Sequence, residues 1–112
     1  LASAAGLKVL QDGGNAIDAA VTAAAVLAVV EPSMTGIGGD LFAIVYDAKT
    51  GTLRGLNASG RAAYAATPDE FARRKLTHMP NGGVLAVTVP GVVEGWSELL
   101  SKLGTIPMSN LV

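Results

Sequence analysis

The sequence predicts an α+β fold because helical and strand-like apolar patterns follow one another along the chain. Residues 16–30 and 92–103 carry apolar side chains at helical spacing, whereas residues 41–47 form a short run of branched and aromatic side chains typical of a strand. Half of the 112 residues are hydrophobic and only 15% are charged, which indicates an ordered core. The predicted order is helix, helix, strand, strand, helix, strand, helix, with no internal repeat. This length corresponds to one domain or a piece of one.

The first two predicted helices form a pair. Residues 1–12 have the pattern of an amphipathic helix, and Asn15 and Asp18 supply the N-cap and the first-turn acid of the next helix, residues 16–30. This second helix is apolar nearly all round, which is typical of a buried helix. A membrane span needs about 20 apolar residues. The run is shorter and contains Asp18, so we predict a core helix and no membrane span.

Turn and cap signals predict a hairpin and a short helix in the middle of the chain. Residues 48–51 form a short turn between the strand at 41–47 and a second strand at 52–57, as in a β-hairpin. Thr67, which is followed by a proline and a capping-box glutamate, is the predicted N-cap of a helix that runs to about Lys75.

The last third of the chain is predicted to contain one more strand and an amphipathic helix. Residues 84–89 are predicted as the strand and residues 92–103 as the helix, and the start of another helix follows Pro107. Three aromatic side chains lie on apolar faces and are predicted to be core residues: Phe42, Phe71 and Trp96.

No group of residues in the chain predicts a self-contained active site. The glycine loop, residues 36–39, follows a helix and precedes a strand, the reverse of the order in a phosphate-binding loop, so we expect its backbone to approach a strand or a ligand closely. His78 is the only imidazole, the carboxylates are scattered, and cysteine is absent, so we expect no metal and no organic cofactor. The net charge of -1 favours no nucleic-acid partner.

Several phrases of the sequence occur together in one protein family. Gly-Gly-Asn-Ala-Ile-Asp occupies residues 13–18, and Glu-Pro-Ser-Met-Thr-Gly-Ile-Gly-Gly occupies residues 31–39. Further matching stretches are residues 1–10, 46–47, 66–68 and 87–95. In this order they resemble the N-terminal part of the γ-glutamyltranspeptidase family, over essentially the entire chain.

The resemblance implies a four-layer αββα sandwich of the N-terminal nucleophile hydrolase type, made as a precursor that cleaves itself into a large and a small subunit. The nucleophile is then the N-terminal threonine of the small subunit with its own α-amine as base, which requires neither a histidine nor a carboxylate pair. Residues 1–112 would be the N-terminal part of the large subunit, an incomplete domain without a catalytic residue. Its partners would be the rest of that subunit, the small subunit and a γ-glutamyl amide such as glutathione.

The resemblance also implies a substrate-binding arginine, and here the sequence departs from the family. Counting back from Thr67 without a gap places Ser59 where the family has the arginine that holds the glutamyl carboxylate. Arg61 is the nearby alternative, in a loop two residues shorter, so both are candidate substrate-binding residues. Residues 57–61, Asn-Ala-Ser-Gly-Arg, are similar to a divergent, transpeptidase-like branch of the family. A β-lactam or cyclic-imide acylase of the same fold and a non-catalytic binding or assembly module are the alternative functions.

Overall fold

The structure is a computed structural model and describes residues 1–111. It has the predicted α+β class. The helices are α1 (Ala2–Gln11), α2 (Ala16–Val30), α3 (Pro68–Arg73) and α4 (Val92–Leu103), and the strands are β1 (Leu41–Asp47) and β2 (Thr52–Ala58). Short 3-10 turns lie at Val84–Ala86 and Met108–Asn110, the second of them where the sequence predicts the start of a helix.

α1 and α2 pack against each other as a close pair. Gly6 is buried, and a Cβ there would lie 3.1 Å from the carbonyl oxygen of Ala19. Asn15 caps α2 as predicted, because its Oδ1 accepts hydrogen bonds from the N–H groups of Ile17 at 2.8 Å and Asp18 at 3.0 Å. The Asp18 carboxylate in turn accepts from the Asn15 N–H at 2.8 Å, which completes a capping box. Within residues 1–111, no helix has the length and apolar character needed to cross a membrane.

β1 and β2 form a two-stranded antiparallel sheet, with Leu41 opposite Ala58 and Asp47 opposite Thr52. Because side chains alternate along a strand, one face of β1 points toward the helices and the other points away. The inward-facing residues of β1 pack against the core: Leu41, Ala43 and Val45.

The outer face of the hairpin is uncovered within residues 1–111. Phe42 is 65% exposed, Ile44 is 81% exposed and Tyr46 is 65% exposed. The prediction that Phe42 is a core residue is therefore wrong for the part of the chain that the structure describes. The physical reason is the period of the strand, since Phe42 alternates with the inward-facing Leu41 and Ala43.

The core lies between α2, α4 and the inner face of the hairpin. Its buried members are Val21, Val92, Trp96, Leu99 and Leu100. α4 comes close to the hairpin at Gly95, where a Cβ would lie 2.6 Å from Leu41 Cδ2 and 2.8 Å from Ala58 Cβ. Trp96 is a core residue, as predicted, whereas Phe71 of α3 is only half-buried.

One prediction for the segment before α4 is wrong. Residues 84–89 do not form a strand, because they begin with a 3-10 turn and a single backbone hydrogen bond, from Val89 N–H to the Arg61 carbonyl at 2.8 Å, joins them to another segment. A strand needs a ladder of such bonds, and the described residues place no strand beside this segment. α3 begins after Thr67 as predicted and ends at Arg73, two residues before the approximate end that the sequence predicts, where Lys75 adopts the left-handed conformation with φ 59°.

Candidate substrate pocket

A cavity of about 620 Å³ opens between the hairpin and α4. Its walls are the end of β2, the loop that follows, Pro90 and Gly91, and the first two turns of α4. Ser59 and Arg61, the two residues that the sequence nominates for substrate binding, both line this cavity. The volume is in the range usual for small-molecule sites. The structure therefore brings the two nominated side chains to one concave site.

The loop that carries Ser59 and Arg61 is fixed against the segment that leads into α4. The Thr88 hydroxyl donates to the Ser59 carbonyl at 3.2 Å, and the Val89 N–H donates to the Arg61 carbonyl at 2.8 Å. Gly60 between them has φ 77°, and a Cβ there would lie 1.8 Å from the Val89 carbonyl oxygen. Only glycine fits this close approach, so the backbone of the loop is held while its side chains are presented to the cavity.

The glycine loop makes a close backbone approach, but its partner is the start of α4 and not the strand or ligand that the sequence predicts. The Gly39 carbonyl accepts hydrogen bonds from the N–H groups of Gly91 at 3.1 Å and Val92 at 3.2 Å, at the N-terminus of α4. Gly91 is also pressed against β2, because a Cβ there would lie 2.3 Å from the Ala58 carbonyl oxygen. These contacts fix the start of α4 beside the end of β2. They also occupy two N–H groups at the helix N-terminus that a bound phosphate would need.

The charged side chains of the cavity are one arginine and two glutamates: Arg61, Glu94 and Glu98. Glu98 forms an ion pair with Lys102 one turn further along α4. Among the described residues, neither Arg61 nor Glu94 takes part in an ion pair. The Ser59 hydroxyl makes one long hydrogen bond, to the Gly60 carbonyl at 3.4 Å. The cavity therefore presents a cation, an anion and a weakly bonded hydroxyl.

The basic groups of α3 and of the segment that follows it do not line this cavity. Arg73 and Arg74 contact the Glu70 carboxylate at 2.7 Å and 2.6 Å. Hydrogen bonds from Arg73 and then Arg74 lower the pKa of Glu70 to about 2. His78 is exposed, and its Nδ1 lies 3.3 Å from the Thr77 hydroxyl. No group of three or more potential ligands within residues 1–111 could hold a metal ion.

Glu94 is the cavity residue that the sequence alone does not reveal. The helical pattern places Glu94 on the polar face of α4 and gives no sign that this face meets the loop after β2. The available signal was the pair Gly91 and Gly95 on either side of it, since glycines in and before a helix mark a close approach of backbone.

Solved structures with this fold define the class of the protein. Helicobacter pylori γ-glutamyltranspeptidase matches with a TM-score of 0.87 and 41% sequence identity over 98% of this chain and 32% of that chain. The cephalosporin acylase from Bacillus halodurans matches with a TM-score of 0.86 and 42% identity over 99% of this chain and 20% of that chain. The helices and the hairpin are thus part of the αββα sandwich of the N-terminal nucleophile hydrolases.

Sequence comparison then gives the family. The family model described as γ-glutamyltranspeptidase matches residues 2–112. The glutathione hydrolase-like YwrD proenzyme of Bacillus subtilis (strain 168) is 40% identical over 113 residues, which cover 100% of this chain and 21% of that relative. The chain belongs to the γ-glutamyltranspeptidase family, and it spans about a fifth of the length of this curated relative.

Proposed function

We propose that residues 1–112 are the N-terminal part of the large subunit of a longer precursor, whose mature form is an amide hydrolase or acyltransferase acting on γ-glutamyl amides such as glutathione. The family match over residues 2–112 supports this proposal. So does the similarity to a glutathione hydrolase-like proenzyme, which the chain matches over only 21% of its length. In this proposal the rest of the precursor supplies the small subunit and the remainder of the pocket.

The reaction that we propose uses a nucleophile outside this chain. The hydroxyl of the small subunit's N-terminal threonine adds to the amide carbonyl, and its proton passes to the threonine's own α-amine. The C–N bond then breaks, the leaving amine takes that proton, and an acyl ester remains on the enzyme. Water or an acceptor amine attacks the ester, which releases the acid or a new amide and regenerates the hydroxyl.

The observation that carries the proposal for this chain is the position of Arg61. Arg61 lines a cavity of about 620 Å³ and forms no ion pair with another described residue. The loop that carries Arg61 is held by hydrogen bonds to residues 88–89. A guanidinium binds a carboxylate through two parallel hydrogen bonds, which a serine cannot replace. We propose that Arg61 holds the carboxylate of the acyl donor and that the Ser59 hydroxyl lies beside it.

A related acylase activity is the second candidate. The cephalosporin acylase from Bacillus halodurans is 42% identical to this chain. In such an enzyme Ser59 and Gly60, which are smaller than the arginine that the family has at this point, would leave room for a bulkier acyl group. This candidate shares the precursor and the threonine with the first and differs in the donor that it prefers.

The proposal is tested by looking first for cleavage of the precursor into two subunits and then for turnover of the two kinds of donor. The full-length protein is expressed, mass spectrometry looks for two subunits, and hydrolysis of γ-glutamyl-p-nitroanilide is compared with deacylation of a cephalosporin. Two subunits and faster γ-glutamyl turnover support the proposal, whereas faster deacylation favours the acylase. A single unprocessed chain without either activity contradicts both and leaves the binding or assembly module.

A further inference from the structure

We propose that Asn81 is a site of spontaneous deamidation, a modification that converts its side-chain amide into a carboxylate without an enzyme. The proposal concerns the segment between α3 and α4 and does not depend on the proposed function. Gly82 follows Asn81 directly, and Asn81 is the one asparagine of the sequence with a glycine after it. Both residues are exposed and belong to no helix or strand.

The reaction joins the Asn81 side chain to the backbone that follows it. The Gly82 nitrogen loses its proton to base in the solvent and attacks Asn81 Cγ. The Cγ–Nδ2 bond then breaks, and the amide nitrogen takes up a proton and leaves as ammonia. Water opens the resulting five-membered succinimide at one of its two carbonyls. The product is either an aspartate or an isoaspartate, in which the main chain runs through the side-chain carboxyl.

The attacking nitrogen of Gly82 is unhindered. Gly82 has no Cβ beside this nitrogen, so the chain can turn the nitrogen toward the Asn81 side chain. The surroundings are open as well, because a Cβ added at Gly82 would meet no atom within 4 Å beyond its chain neighbours. Within residues 1–111, the Gly82 N–H makes no backbone hydrogen bond that has to break before the attack.

The other three asparagines of the sequence provide an internal comparison, since alanine or leucine follows each of them. Asn15 Oδ1 accepts from two N–H groups, and its Nδ2 donates to the last carbonyl of α4 at 2.7 Å. Asn57 lies in β2 and accepts from the Ser59 N–H at 3.0 Å, and Asn110 Oδ1 accepts from a neighbouring hydroxyl at 3.3 Å. The side chain of Asn81 makes no hydrogen bond to another residue of 1–111.

The turn that contains Asn81 can accept the product without loss of the fold. Residues 81–83 are exposed and precede the 3-10 turn Val84–Ala86. The new carboxylate therefore enters water, and the extra main-chain carbon of an isoaspartate interrupts no helix or strand. We expect the deamidated protein to accumulate as a folded species with one more negative charge.

Peptide mapping of the aged full-length protein tests the proposal. Trypsin places Asn81 in a peptide, residues 76–102, that has no other asparagine and no glutamine. Asn57, which is also exposed, is alone in the same way in residues 55–61 of the same digest. In mildly alkaline buffer, Asn81 is expected to deamidate at least about 10-fold faster than Asn57. A digest of fresh protein gives the background, and equal rates at the two asparagines would overturn the proposal.

Two alanine variants separate the effect of Gly82 from the exposure of the turn. Gly82→Ala adds a Cβ beside the attacking nitrogen in open space and is expected to slow deamidation of Asn81 by about 10-fold or more. Gly83→Ala is the matched control, because it leaves the Asn–Gly bond intact, and it is expected to change the rate by less than about 2-fold. A rate in Gly82→Ala equal to that of the unsubstituted protein would contradict the mechanism.

A comparison of folded and unfolded protein needs no variant and so covers the case in which Gly82→Ala does not fold. The rate at Asn81 in the folded full-length protein is expected to lie within about 10-fold of the rate in urea, because the exposed turn requires little local opening. A folded rate far below this range would mean that the full-length protein holds the turn, and it would refute the proposal.

Discussion

Asp18 and Thr105 lie 87 positions apart in the sequence and are joined by three hydrogen bonds. The Thr105 N–H donates to Oδ1 at 2.9 Å and to Oδ2 at 3.2 Å, and the Thr105 hydroxyl donates to Oδ2 at 2.5 Å. The Asp18 side chain also caps α2 and accepts from the Ile106 N–H at 3.2 Å. One fully buried carboxylate thus connects the start of α2 to the chain that leaves α4.

Replacing this carboxylate is expected to destabilise the protein strongly. Asp18→Asn keeps the size of the side chain, but its NH₂ group faces donors instead of accepting from them, so buried N–H groups lose their partner. We expect the free energy of unfolding to fall by about 3 kcal/mol, measured by urea unfolding of the full-length protein. Asp12→Asn is the control, because that acid is exposed and its one ion pair within residues 1–111 is with Lys8. Equal losses of unfolding free energy in the two variants would show that the buried hydrogen bonds of Asp18 do not stabilise the fold more than an exposed ion pair does.

The same carboxylate predicts a pH dependence. Burial acts to raise the pKa of Asp18, but the hydrogen bonds from Thr105, Asn15 and Ile106 outweigh it and lower the pKa below its ordinary value of 3.8. A carboxyl whose pKa is lower in the folded state contributes stability above its unfolded pKa and loses it as the pH falls through the folded value. The stability difference between the unsubstituted protein and Asp18→Asn should therefore be constant above about pH 5 and shrink below pH 3.8. A stability difference that stays constant down to pH 2 would contradict this predicted pH dependence.

Local signals made most of the helices predictable. Asn15 and Thr67 both accept the cap hydrogen bonds that the sequence predicts, because an N-cap depends on residues within three positions of it. Residues 84–89 were predicted wrongly for the opposite reason. Their apolar composition suits a strand, but strand formation depends on a neighbour elsewhere in the chain, and composition does not report it.

The candidate site was predictable only in part. Ser59 and Arg61 came from the resemblance to a family, and the structure adds that both line one cavity. Glu94 could not be found from its helical pattern, which gives the polar face of α4 but not the loop that lies against it. The loop and α4 are brought together by backbone contacts of Gly60 with Val89 and of Gly91 with Ala58, and the members of each pair are distant in sequence.

Arg61→Ala in the full-length matured protein is expected to raise KM for γ-glutamyl-p-nitroanilide by about 10-fold or more, because the donor carboxylate loses its cation. Butanoyl-p-nitroanilide, which is uncharged, should show little change in KM. Arg54→Ala is the matched control, since Arg54 is an exposed arginine of β2 that does not line the candidate pocket. Equal effects of Arg61→Ala on the charged and uncharged donors would rule out carboxylate recognition by this residue.

Gly60→Ala is expected to damage both stability and donor binding. Its φ of 77° disfavours a side chain, and a Cβ would lie 1.8 Å from the Val89 carbonyl oxygen, so the loop that carries Arg61 must move. Gly83→Ala is the control, because Gly83 also has a positive φ of 84° but has open space around it. We expect Gly83→Ala to cost about 1 kcal/mol and Gly60→Ala clearly more, together with a raised KM for the γ-glutamyl donor. If the two variants unfold at the same urea concentration and bind donor equally, the clamp on the loop is not needed.

Residues 1–112 expressed alone are expected to self-associate and to lack γ-glutamyl hydrolase activity. The outer face of the hairpin carries four exposed apolar side chains, with Ile44 81% exposed and Leu53 68% exposed beside Phe42 and Tyr46. Contiguous apolar surface of this kind drives association unless another layer covers it. Size-exclusion chromatography with light scattering should give a mass well above 11.2 kDa, and the double variant Ile44→Lys, Leu53→Lys should lower it. Lys substitutions at the exposed Ser97 and Ser101 of α4 add the same charge without removing apolar surface and serve as the control. A monodisperse monomer that unfolds cooperatively would show instead that this face needs no cover.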